Sequence, residues 1–130
     1  MGTHSTIHIY TKNGRNLINI YNQYDGYYQG VGKEIYEWWS NKDNYGNGFD
    51  DTAFLFIAKW KGDRPYNRYL TTERDEQEYN YYIYEDEEVG VRFSIRKEKW
   101  FDKEMEFGSK WMLNYGSLEE FLKELNTEVE

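Results

Sequence analysis

The sequence predicts an α+β fold: an antiparallel sheet built from hairpins and packed with three helices. Three observations predict it. Two alternating segments flank an Asn-Gly pair near the N-terminus. A second alternating pair lies within residues 77–97, split by a run of acids. Three other stretches repeat their apolar residues at helical spacing.

Thr6-Ile7-His8-Ile9-Tyr10-Thr11 alternates, with Ile7 and Ile9 on one face and His8 on a polar one. Asn13-Gly14 is a strong two-residue hairpin signal. Residues 16–24 form the return strand, so the N-terminal hairpin spans 6–24. Asp25 through Gly32 holds three glycines in eight residues, which marks close approach or unusual torsions. Val31, Ile35, Trp38 and Trp39 then predict a helix over 31–40. The Asn-, Asp- and Gly-rich residues 40–51 read as a polar loop. Asp50 or Asp51 caps a second helix over 52–61, with Gly62 just past its end. Its residues Ala53, Phe54, Phe56, Ile57 and Trp60 leave little polar surface, so it reads as well buried.

Residues 77–85 predict a strand with Tyr79, Tyr81 and Ile83 on one face. Asp86-Glu87-Glu88 is the turn, and Val91, Phe93 and Ile95 alternate on the strand returning to residue 97. Further extended segments are expected over 100–107 and 110–114. Ser117-Leu118-Glu119-Glu120 matches a capping box, and Leu118, Phe121, Leu122 and Leu125 make the apolar stripe of a helix over 117–126. No repeat or linker divides the chain, so residues 1–130 read as one domain.

Composition narrows the function classes. The 130 residues include 24 acids and 16 bases, a net charge of −8. Residues 1–72 hold 7 acids and 8 bases; residues 73–130 hold 17 acids and 8 bases. Phosphate is repelled by such a surface, so direct nucleic-acid binding is not expected. An acidic face suits a basic partner instead. There are no cysteines, which excludes disulfides, thiolate zinc sites and a cysteine nucleophile. No apolar run is long enough to span a membrane and no secretory signal is visible, so a cytoplasmic protein is expected. Aromatics make up 20% of the chain, with 14 Tyr among them, so the core is built largely from rings and some Tyr reach the surface.

Met1-Gly2-Thr3 and the run Gln23-Tyr24-Asp25-Gly26-Tyr27-Tyr28-Gln29-Gly30-Val31-Gly32 carry a resemblance. They are similar to a widespread group of small proteins from phages, large DNA viruses, bacteria and fungi. That group opens with Met-Gly-Thr or Met-Ser-Thr and a hairpin. It continues with Gln, then Trp or Tyr, then Asp-Gly-Tyr-Pro and two glycines at alternate positions, leading into a helix. The match covers about residues 1–40, and a weaker one touches the Tyr-rich strand at Glu78–Ile83. This chain departs at Tyr28, where the group has proline. The resemblance implies a fold and a viral or mobile-element origin, and no mechanism.

The Gln23–Gly32 loop is the first candidate site. Amides of Gly30, Val31 and Gly32 at a helix start suit an anion, Gln23, Asp25 and Tyr27 offer hydrogen bonds, and a nucleotide could stack on Tyr24, Tyr27 or Tyr28. Gly26 is expected at positive φ, with Asp25 bonded to amides of the turn. No P-loop lysine is present, and the glycine spacing fits no common phosphate fingerprint. Glu85, Asp86, Glu87 and Glu88 are the candidate partner-binding residues, with a solvated turn as the alternative. His4 and His8 lie about 13 Å apart along one strand face, too far to share a metal unless the strand starts after His4. Ser5, His4 or His8, and Asp25 make a hydrolase set by arithmetic, with no elbow motif behind it. No catalytic residue, metal ligand or cofactor is assigned.

The leading expectation is an acidic, non-enzymatic binding protein that engages a host or defence protein with a basic surface, its carboxylates imitating the phosphates of nucleic acid. A nucleotide-like ligand in the Gln23–Gly32 loop is the second reading, and a hydrolase the third. Strand edges and exposed Tyr and Trp are compatible with a homodimer.

Overall fold

The computed structural model describes residues 3–88, 90–97 and 116–127. Five strands form one sheet: β1 (Ser5–Tyr10), β2 (Asn16–Asn22), β3 (Arg68–Leu70), β4 (Tyr79–Asp86) and β5 (Gly90–Lys97). Their spatial order is β3-β2-β1-β4-β5. The helices are α1 (Lys33–Ser40), α2 (Gly48–Asp63) and α3 (Leu118–Leu125). The α+β class and both hairpins agree with the sequence, and Gly14 takes the positive φ of +79° that its turn requires.

The sheet is mixed where an antiparallel one was expected. Each hairpin is antiparallel within itself, but β1 pairs β4 in parallel, from Ser5↔Tyr79 to Tyr10↔Tyr84. The reason is β3, a strand that three residues of Arg-Tyr-Leu do not announce. It adds to the outer edge of β2, and residues 71–78 then carry the chain across the sheet to start β4 beyond β1.

The helices pack on the face that holds Ile7, Ile9, Ile20, Tyr81, Ile83, Phe93 and Ile95. Trp39, Phe56 and Phe121 fill the space between, with Trp39 tilted or edge-on to Phe56 and Phe93 at 5.7 and 6.1 Å. Ring-on-ring packing is how a chain poor in aliphatics closes a core.

Three helix boundaries differ from expectation. A π-helical turn, Tyr28–Gly32, precedes α1, so the α-helix itself begins at Lys33. Helix α2 begins at Gly48, inside the segment read as a loop, and Gly62 lies within it. Two side chains from its own first turn make the early start: Asp51 Oδ2 accepts from the Asn47 amide at 2.8 Å, and Thr52 Oγ1 accepts from the Gly46 amide at 3.0 Å. Neither Asp50 nor Asp51 is the N-cap residue. One face of α2 is buried through Ala53, Phe56, Ile57 and Trp60, while Phe54 is 70% exposed. Helix α3 keeps its capping box, with Ser117 Oγ accepting from the Glu120 amide and Glu120 accepting from the Ser117 amide. The extended segments expected over 100–107 and 110–114 fall outside the described residues.

Candidate functional site

The Gln23–Gly32 loop is a tightly closed corner. Its expected open amides are engaged: Gly30 N–H and Gly32 N–H bond Tyr27 O, Val31 N–H bonds Asp25 O at 2.9 Å, and Gly26 N–H bonds Thr3 O at 2.8 Å. Asp25, not Gly26, takes the positive φ, at 59°. Its carboxylate leaves the turn and pairs with Arg64 at 3.0 Å. The glycines answer to space. A Cβ at Gly26 would sit 2.6 Å from Ser5 Cβ, one at Gly30 would overlap the Asp25 carbonyl, and one at Gly32 would lie 2.5 Å from Leu125 Cδ2. Tyr28, in the place of the group's proline, is buried edge-on to Tyr79 at 5.5 Å, with Lys97 Nζ over both rings. Tyr24 is exposed, and Gln23 and Tyr27 are half-buried. The loop thus joins β2, β4 and α3, and Tyr81 Oη seals it by donating to Gly26 O at 2.7 Å.

The acidic turn has a different setting. Glu85 Oε1 accepts from the Lys12 amide, and Asp86 accepts from Arg92 Nε at 2.7 Å and from the Glu88 amide at 2.8 Å. Glu87 and Glu88 face solvent. Beside this turn lies a cleft of about 750 Å³ between the end of α1, the 42–49 segment, β5 and the start of α3. Trp39, Tyr45, Phe49, Val91 and Leu118 give it an apolar lining, while Glu85, Asp86 and Glu119 supply carboxylates and Lys42 a base. Trp39 is 1% exposed, and its indole N–H has no acceptor among the described residues. Buried donors normally find one.

The face of the sheet opposite the helices holds what sequence reasoning missed. His8 was expected on a solvated strand face; it is fully buried, as are Thr6 and Asn80. The 71–78 connection covers them. Proton counting fixes their states. Asn80 Nδ2 donates to Gln77 O and Arg96 O, and its Oδ1 accepts from the Gln77 amide. Thr6 Oγ1, 2.7 Å from that same oxygen, must therefore donate to it. Its own oxygen then accepts from His8 Nε2–H at 2.8 Å. His8 Nδ1 carries no proton, and the Asn19 amide turns its nitrogen toward it at 2.7 Å, which leaves the Asn19 oxygen to accept from the Glu73 amide at 3.2 Å. Burial lowers the His8 pKa, against the opposing pull of Asp75 and Glu73, in keeping with a neutral ring. Tyr82 stacks on it at 5.1 Å. Burial and Glu73 push the neighbouring Tyr10 hydroxyl up.

This Thr-His-Asn series has the order of a catalytic triad and the wrong proton flow. The histidine donates to the hydroxyl it would have to deprotonate. The hydrolase set does not assemble either. Ser5 points to the helix side of β1 and His8 to the opposite side, while Asp25 is held by Arg64. His4 stands edge-on to Tyr21 at 5.6 Å, apart from His8.

A buried charge anchors β3. Arg68, fully buried, donates to Glu34 at 2.7 Å, to Asn22 Oδ1 at 2.8 Å and to Trp60 O, and lies 3.9 Å over the Trp60 ring. Burial lowers its pKa and Glu34 opposes the shift. The one hint in the sequence was an arginine between aromatic residues.

No family model, curated protein or solved structure matches this chain. Among the described residues, no helix is long and apolar enough to cross a membrane.

Proposed function

We propose that this chain is a non-enzymatic binding protein whose acid-rimmed aromatic cleft receives a basic and partly apolar segment of a protein partner. One observation carries the reading. Glu85, Asp86 and Glu119 stand around the same cleft that Trp39, Tyr45 and Phe49 line. The carboxylates select cations, and the rings offer stacking area. The resemblance of residues 1–40 to phage and viral proteins is what points to a host or defence protein as the partner. The acidic surface is what points to imitation of nucleic acid.

The test is capture of a partner from the protein's own cells, identified by native mass spectrometry. Retention is expected to weaken as salt rises from about 50 to about 500 mM, because exposed charge pairs are screened. Glu119→Lys combined with Glu85→Gln is expected to abolish capture at low salt. Salt-independent retention, or retention by the double variant, removes the basis of this reading.

A further inference from the structure

We infer that the open edge of β3 is a self-pairing surface, and that two copies of this chain join there as a two-fold antiparallel strand pair. The inference is independent of the cleft, which lies beside β5 and α3.

The sheet has two edges and treats them differently. At the β5 edge, Gly116 bridges Phe93 in both directions, at 2.9 and 2.7 Å. At the β3 edge no described residue is added. Thr71 N–H bonds Asn19 O, and Gln23 N–H bonds Asn67 O. Antiparallel alternation therefore turns residues 67, 69 and 71 toward β2 and leaves the N–H and C=O of Arg68 and Leu70 pointing outward. Neither residue's backbone bonds a described residue on that side. Natural edges are guarded by lysine, proline, a bulge, an inward-pointing charge or a very short strand. Asn67-Arg68-Tyr69-Leu70-Thr71 has no lysine, proline or bulge; it is short, and its one charge, Arg68, is turned inward but is neutralised by Glu34, so no free charge meets an added strand.

The side chains on this edge are apolar and exposed: Tyr66 at 90%, Leu70 at 73% and Tyr69 at 45%. Tyr69 continues a row of rings, 5.2 Å from Tyr21.

A second copy fits because the edge complements itself. With Tyr69 on the two-fold axis, Arg68 of one copy faces Leu70 of the other. Each outward N–H then meets an outward C=O, giving four backbone hydrogen bonds. Tyr69 meets Tyr69 as a non-hydrogen-bonded pair, where side chains approach most closely. Charge permits the meeting, since residues 1–72 hold 7 acids and 8 bases while the acidic excess lies in residues 73–130.

The absence of cysteine supplies the test. In the proposed register the two Tyr69 Cα atoms stand about 4.5 Å apart, within disulfide reach. Tyr66, in the turn before β3, lies two residues beyond the strand from the axis, so the two Tyr66 Cα atoms stand much more than about 7 Å apart and outside disulfide reach. Tyr69→Cys in the full chain is expected to oxidise to a covalent dimer at least about tenfold faster than Tyr66→Cys, although residue 66 is the more exposed. Sedimentation equilibrium of the unmodified protein is expected to show dimer growing in between about 10 μM and about 1 mM, since the contact is small. Leu70→Lys is expected to shift that equilibrium at least about tenfold toward monomer with an unchanged circular dichroism spectrum. Equal oxidation rates at 66 and 69, a monomer throughout the range, or a dimer insensitive to Leu70→Lys would each overturn the inference.

Discussion

At its centre this sheet is buried on both faces, but by opposite chemistry. The helix face is closed by Trp39, Phe56, Phe93 and other rings, held by shape and contact. The opposite face is closed by Thr6, His8, Asn19 and Asn80 under a connecting segment, where each proton has one workable position. β1 belongs to both faces, and all six of its residues are buried. A central strand can thus be apolar on one side and hydrogen-bonded on the other, provided that every polar atom finds a partner.

The comparison breaks most visibly on the helix face. Ile7→Ala empties a site with no solvent access and is expected to cost about 3 kcal/mol, read from urea denaturation. Thr6→Val keeps the shape one position earlier and removes the hydroxyl. It strands His8 Nε2–H and one bond to Asn80 Oδ1, and about 2 kcal/mol is expected. If Thr6→Val proves neutral, the polar face packs by shape as the helix face does.

A pH series sharpens the contrast, because only the polar face contains a buried histidine. The His8 pKa is lowered in the fold, while the unfolded chain takes up its proton near 6.5. The unfolded state therefore gains protons first, and stability falls as pH drops through 6.5. Protonation would also require Asn19 to turn its oxygen to Nδ1, costing the Glu73 amide its acceptor. The expected result is a steeper loss of stability between about pH 7.5 and about pH 5 in the wild type than in His8→Leu, compared by denaturant midpoints. Equal slopes would mean that His8 does not titrate with folding. Phe54→Ser marks the lower end of the scale. Exposed on α2, it is expected to change stability by no more than about 0.5 kcal/mol.

What was legible in the sequence follows the reach of each interaction. The Asn13-Gly14 hairpin and the Ser117–Glu120 capping box close within a few residues, so their patterns stand next to each other in the chain. The start of α2 was hidden although it is equally local, because Asp51 and Thr52 cap from inside a stretch whose Asn and Gly read as loop. Burial of His8 rests on Asn80, 74 residues from Thr6, and β3 is anchored by an Arg68–Glu34 contact across 34 residues. Periodicity sees neither. One signal was available: the outward set Thr6, His8 and Tyr10 contains no lysine or glutamate, which is unusual for a face meant for water. The candidate loop was legible as a place where glycine is required, and the same glycines served packing as well as they would have served a ligand.

The parallel pairing of β1 with β4 has a consequence during synthesis. When the β1–β2 hairpin leaves the ribosome, the strand that must lie against its far edge has not been made. Some 57 residues separate Asn22, the end of the hairpin, from Tyr79, about 3–11 s of translation. For that interval the most buried strand of the finished protein is a bare edge with Ile7 and Ile9 uncovered. Its first neighbours in time are other nascent chains, so the interval before β4 is made is when this fold is most exposed to aggregation.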